Sequence, residues 1–234
     1  MIYRFDSLDS TSTQLARMAQ ELAHGDVVIT CTQTSGRGQR GNSWESEPGR
    51  NLTFSLLLRP EDLAATDAWL MSMAVSVGLV RGLMPFVDIP IKLKWPNDVY
   101  VGDRKLCGIL IENALCGSFV SRSIVGIGIN VNQTQFISNA PNPVSLKQIT
   151  GKDYDLDEVL SAVCSEILSS VDSLHRPELK AEYMSLLWRA EGAHTWRDTA
   201  SGEIFTAEIC DILPDGRISL GSRIFWFKEV EAVL

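Results

Sequence analysis

The sequence predicts an α+β fold: helices and strands are mixed through residues 1–190, and a small all-β region follows over 191–234. Three observations lead to this. Short apolar runs such as "DVVITCTQ" and "NLTFSLLLRP" read as buried strands, stopped in the second case by Pro60. Longer stretches at residues 66–83 and 155–174 have the length and patterning of helices. After Gly192 the texture changes to brief β-prone segments separated by Ser-Gly and Pro-Asp-Gly turns.

In chain order, Thr11-x-x-Gln14 can form a capping box, opening a helix over 11–23 that His24-Gly25 ends. Strands follow at 26–33 and 51–59, then a helix at 66–83 with Gly78 and Gly82 as weak points. "IKLKW" (91–95) and "DVYV" (98–101) read as strands around a Pro-Asn turn, and "RKLCGILIEN" and "SRSIVGIGINVN" as two more. Residues 132–151 are rich in Asn and Pro and read as a loop, before helices near 155–174 and 177–189. The last segments suggest a β-barrel of roughly 40 residues, too small to stand alone without docking.

Composition removes several classes of function. The chain has 234 residues, 45% hydrophobic, with a net charge of −8, so it can bury a substantial core. The acidic balance argues against nucleic-acid binding, which needs a basic face. Five widely spaced cysteines and three scattered histidines form neither a disulfide framework nor a metal-ligand group, so no protein-held metal is expected. There is no signal-peptide pattern, and the most apolar helix is interrupted by Ser72, Ser76, Arg81 and Pro85. A reducing, cytoplasmic location without membrane attachment is the expectation.

The loop "SGRGQRGNSW" (35–44) invites two nucleotide readings. A dinucleotide fingerprint must open a helix, but Pro48 and Gly49 forbid a long one and a strand follows. A P-loop needs lysine where Asn42 stands. What remains is a glycine-rich loop through which backbone can approach a ligand, with Arg37 and Arg40 offering planar forks to carboxylate or phosphate.

Four other stretches accompany it: "LDSTST" (8–13), "KWPNDVYVGDRKLCGILIE" (94–112), "GIGINVN" (126–132) and "PVSLKQITG" (143–151). In order and spacing the set resembles the biotin protein ligases over about residues 7–151, the final region being compatible with that family's SH3-like C-terminal domain. The resemblance implies a mixed-sheet catalytic domain of the class II synthetase and lipoate ligase type over 1–190, then a small SH3-like barrel over 191–234. It implies ATP and biotin as substrates, Mg2+ arriving with ATP, and biotinyl-5′-AMP as intermediate. The implied acceptor is a biotin carboxyl carrier domain of acetyl-CoA carboxylase or a related carboxylase. A lipoate or octanoyl ligase and a non-catalytic biotin sensor are the alternatives. Some relatives carry an N-terminal helix-turn-helix; "FDSLDSTST" begins at residue 5, so an enzyme rather than a DNA-binding repressor is expected. The family also includes homodimers.

The chemistry agrees, because joining two anions needs positive charge and positioning more than a nucleophilic side chain. By resemblance Lys105 and Arg37 are catalytic, Lys105 bridging the biotin carboxylate and the α-phosphate. Ser10, Thr11 and Gln33 would bind the ureido ring, whose N–H groups and carbonyl suit hydroxyls and an amide; Ser10 or Thr11 can equally be only a helix cap. Gly36, Arg37, Gly38 and Gly41 would cover the ligand, while Gly108, Gly126 and Gly128 let strands approach it. Gln39, Arg40, Trp44, Asn97, Lys105 and Asn130 would face the nucleotide, with Asn97 preferred to Asp98 near the phosphates. Gln39 departs from the arginine common at its position and offers no fixed charge.

Overall fold

The computed structural model describes residues 1–39, 43–137 and 142–233. Its centre is a seven-stranded mixed sheet built from β1 (Ile2–Leu8), β2 (Val27–Gln33), β3 (Leu52–Leu58), β4 (Ile91–Lys94), β5 (Asp98–Val101), β6 (Arg104–Cys116) and β7 (Phe119–Ile129). The strand order is β1-β2-β3-β7-β6-β5-β4, with β1 and β2 parallel and the other neighbours antiparallel. β1 escaped the sequence reading: as an edge strand it is mostly exposed and lacks an apolar run.

The register divides the sheet into two different faces. One carries Val27, Ile29, Phe54, Leu56, Val125, Ile127 and Ile129, all in the main hydrophobic core. Against it lie α2 (Trp69–Leu83), α4 (Leu156–Asp172) and α5 (Leu179–Leu186). The other face is half covered. α1 (Thr11–Met18) buries Leu15 against Val28, Leu57 and Ile124. Beyond that patch Thr53, Ser55, Gly126, Gly128 and Gly108 stand side by side, because Gly128 pairs with both Thr53 and Gly108, and Gly126 with Ser55. Small and hydroxylated side chains leave a hollow there.

α2 with its following turn, Trp69–Phe86, is long and apolar enough to cross a membrane by composition, and 61% of it is buried inside the protein. α1 is shorter than expected and its cap differs: Ser10 accepts from Thr13 N at 3.4 Å, which leaves Thr11 for other partners. The capping box occurs elsewhere, where Ser145 and Gln148 open α3 (Leu146–Thr150) inside the stretch read as loop.

The C-terminal region is not the closed barrel expected. β8 (His194–Asp198), β9 (Ile204–Ala207) and β13 (Val230–Ala232) form one three-stranded antiparallel sheet; β10 (Ile209–Ile212), β11 (Ile218–Leu220) and β12 (Arg223–Phe225) form another. The strands have three to five residues, too few to wrap into a continuous cylinder. Trp196, Ile212, Ile218, Phe225 and Val230 join the same core as the main sheet.

Candidate active site

A cleft of about 400 Å³ lies over the glycine-lined face, closed on its far side by Trp188, Trp196, Phe227 and Glu231. Its inner end is neutral and hydrogen-bonding. Gln33, at the end of β2, accepts from Thr11 N at 2.9 Å, and Thr11 and Ser12 each share a hydrogen bond with Ser55, at 2.8 and 2.9 Å. Ser10, Thr11 and Gln33 therefore come together as the sequence suggested, with Ser12 as an addition. Ser12 Oγ would lie 2.7 Å from a Cβ at Gly126, so that glycine is what admits it.

The outer end is charged. Lys105 reaches the cleft through an irregularity in β6: Cys107 faces Val99, yet Lys105 faces Tyr100, so Leu106 is an extra residue. Such bulges re-aim side chains. Without it Lys105 would share Cys107's face and point into the core. Its Nζ pairs with Asp98 Oδ1 at 2.7 Å and lies 5.5 Å from the centre of the Trp44 ring. Its backbone is held from both sides, Lys105 N donating to Asn142 O at 2.8 Å and Val144 N to Lys105 O at 2.9 Å.

Trp44 rests on the glycines. A Cβ at Gly128 would sit 2.3 Å from its ring, and one at Gly108 3.0 Å. Its buried Nε1 has no hydrogen-bond partner among the described residues. Gly36 lies under Trp44, Trp44 N donating to Gly36 O at 3.1 Å, while Gly38 and Gln39 line the cleft. Arg37 closes a fork on Glu112, at 3.2 and 2.7 Å, both side chains remaining well exposed. Arg40 and Gly41 lie outside the described residues.

Asn97 lines the cleft, its Nδ2 donating to Ile109 O at 2.7 Å, so its oxygen is the atom left for a ligand. Asn130 is placed differently from the other candidates. It is 3% exposed, does not line the cleft, and donates to Val144 O at 3.2 Å and Lys105 O at 3.4 Å. It braces Lys105 from beneath.

Sequence reasoning assigned no site role to Trp95 or to the C-terminal wall; it counted Lys94 only among the positive charges of the motif stretches and ranked Asp98 behind Asn97. Lys94 donates to Tyr100 Oη at 3.0 Å and lies 4.7 Å from the Tyr100 ring centre and 5.4 Å from that of Trp188. Burial above all pushes its amine below the usual lysine range, with Lys105 and Arg189 adding to the effect and Asp98 and Glu231 opposing it. Tyr100 is pushed up, chiefly by burial, and stays a neutral hydroxyl.

A mixed sheet with a hydroxyl-and-amide end and a lysine end in one glycine-floored cleft defines a protein of the biotin and lipoate ligase fold class. The chain belongs to the Biotin/lipoate A/B protein ligase family, whose profile matches residues 4–130. Among solved structures it is similar to biotin protein ligase from Aquifex aeolicus in complex with biotin and ATP, at 27% identity and a TM-score of 0.76, covering 100% of this chain and 95% of that one. It is 34% identical over 161 residues to the biotin–[acetyl-CoA-carboxylase] ligase of Paracoccus denitrificans, covering 65% of each chain. It is 31% identical to the bifunctional ligase/repressor BirA of Bacillus subtilis, over 81% of this chain but 58% of that protein's length. The chain thus spans little more than half the length of the ligase/repressor relatives it matches.

Proposed function

We propose that this protein is an ATP-dependent biotin–protein ligase. The observation that supports this most is the polarity of the cleft: neutral donors and acceptors from Ser10, Thr11, Ser12 and Gln33 at one end, Lys105 and Arg37 toward the other. Biotin has the same polarity, a ureido ring at one end and a carboxylate at the other. In the first step a carboxylate oxygen of biotin attacks the α-phosphorus of ATP, and the bond to the bridging oxygen breaks to release pyrophosphate. In the second, the neutral ε-amine of a carrier lysine attacks the acyl carbon. AMP leaves with the bonding electrons, and the amide nitrogen sheds its proton to solvent.

Lys105 neutralises charge between the carboxylate and the α-phosphate. Asp98 holds its ammonium until an anion competes. Arg37 exchanges Glu112 for substrate. Trp44 is proposed to face the adenine, with Asn130 acting through Lys105 rather than by contact. Among the described residues no three His, Cys, Asp or Glu side chains converge on a cation site. Asn97 and Asp98 would therefore supply only one or two oxygens to Mg2+, the phosphates completing its shell, which suits that ion. Bound with ATP, it would neutralise phosphate charge. We place the acceptor in a biotin carboxyl carrier domain and the enzyme in the cytoplasm; five free cysteines, three of them exposed, suit a reducing compartment.

The test is ATP–pyrophosphate exchange with biotin and, separately, with lipoate. Exchange is expected with biotin and to fall at least ~100-fold in a folded Lys105→Met variant. Lipoate-dependent exchange alone would overturn the substrate assignment.

A further inference from the structure

Gln133 is 2% exposed, yet its side chain serves four partners. Its oxygen accepts from Glu47 N at 3.0 Å and from Asn51 Nδ2, while its amide donates to Glu45 Oε1 at 3.2 Å and to Gln135 O at 2.7 Å. Glu45 completes the knot by accepting from Ile137 N at 3.0 Å. Asn51, itself 4% exposed, turns its other end to Val131 N at 2.9 Å. Two buried amides and one carboxylate thus lash residues 45–51 to residues 131–137.

Each lashed segment leads to the cleft. Residue 45 follows Trp44, which lies on the glycine floor. Residues 134–137 lead toward α3, and Gln148 Nε2 donates to Thr134 O at 2.9 Å. The turn before α3 holds Lys105, through Asn142 O and Val144 N. The connection therefore runs from the loop carrying Arg37 and Trp44, through Glu45 and Gln133, to the backbone of Lys105.

We propose that Gln133 is a positioning residue that couples the two halves of the cleft, so that biotin beneath the Trp44 loop raises the affinity for nucleotide at Lys105. The coupling rests on the ligase reading; the clasp itself does not. Buried networks of this kind are sensitive to one missing donor, because each unpaired group keeps its desolvation cost. Gln133→Glu keeps both acceptor contacts, removes the donors to Glu45 and to Gln135 O, and sets carboxylate against carboxylate. Adding Glu45→Gln reverses the polarity of the contact: the new amide at 45 donates to the new carboxylate at 133 and still offers Ile137 an acceptor. Glu45→Ala, at a half-buried loop position, opens the clasp without touching Asn51.

Two measurements at pH 8 decide the matter. Hydrogen exchange on the protein alone should show the amides of 43–50 and 134–137 losing protection together in Gln133→Glu and in Glu45→Ala, with part of it restored in the double swap, where Gln135 O still lacks its donor. Loss confined to one segment, or no loss in either variant, would overturn the clasp. Binding of a non-hydrolysable ATP analogue, with and without saturating biotin, should show about tenfold coupling in the wild type. That coupling should drop at least threefold in each single variant and recover in part in the swap. Unchanged coupling in both single variants, or none in the wild type, would overturn the proposal. Absence of biotin-dependent pyrophosphate exchange would count against the ligase reading, while the hydrogen-exchange result still judges the clasp.

Discussion

At residue scale the charges around the cleft are engaged with one another. Arg37 and Glu112 are 45% and 43% exposed, so their pair contributes at most about 1 kcal/mol. A carboxylate or phosphate can displace Glu112 cheaply. Glu112→Gln removes that competitor and is expected to tighten biotin binding by up to ~5-fold, measured by calorimetric titration. Weaker binding would show that Glu112 orients Arg37 instead. Lys94 gives a pH signature. Its folded-state pKa is lowered, so protonation costs the folded state more than the unfolded chain. The penalty is full below the folded value, and stability rises as pH climbs between it and the ordinary lysine value of about 10.4. Lys94→Met should remove that slope, so the wild type should gain on the variant in denaturant titrations between pH 8 and pH 10. A constant gap would show that Lys94 titrates normally. Lys105, Arg37 and Gln33 were picked out through the resemblance, and the structure brings all three to one cleft. Glu112, Ser12 and the surroundings of Lys94 were not legible in the sequence, because strand register and a bulge bring them into place.

At the scale of elements, Gly78 and Gly82 look like defects in the α2 sequence, and the packing shows their purpose. A Cβ at Gly78 would lie 2.6 Å from Glu166 O and Ile167 Cα, and one at Gly82 2.6 Å from Val163 Cα. Each position admits the backbone of α4. Gly78→Ala gains roughly 1 kcal/mol of helix propensity but overpacks a rigid contact at a cost of about 1–3 kcal/mol. A net fall in Tm of a few degrees is expected by calorimetry; a rise would show that α4 can back away freely. The sequence located β2 through β7, α2 and α4 to within a few residues, since their apolar runs have the right period. It missed β1, whose face is exposed, and α3, whose five residues lie in a polar stretch and are held by the Ser145–Gln148 cap and by Asn130. It ran α1 on to the His24-Gly25 stop, whereas the helix ends at Met18 and the buried Leu22 packs from beyond that end.

At the scale of the whole molecule, we propose that residues 1–190 and 191–234 are separate modules in sequence but not in stability. The second cannot enclose a core with strands of three to five residues, so it shares one. The contacts are specific. Trp95 Nε1 donates to Gly216 O at 2.9 Å, and Trp95 meets Phe227 edge-on at 6.1 Å. A Cβ on Gly216 would lie 2.5 Å from the Trp69 ring, so that turn fits only as glycine. Arg189 donates to Val233 O at 2.9 Å, tying the joint to the end of β13. The same surface supplies Trp196, Phe227 and Glu231 to the cleft, so docking and site formation are one event. Three consequences follow for a chain cut after Glu191. It exposes Trp95 and Trp69, loses the far wall of the cleft, and leaves Lys94 beside fewer counter-charges. The intact protein is therefore expected to unfold in one calorimetric transition, with van't Hoff and measured enthalpies equal. The truncated chain should melt more than ~10 °C lower or fail to fold. Two resolved transitions in the intact protein, or a truncated chain of undiminished Tm, would show that the modules are independent after all.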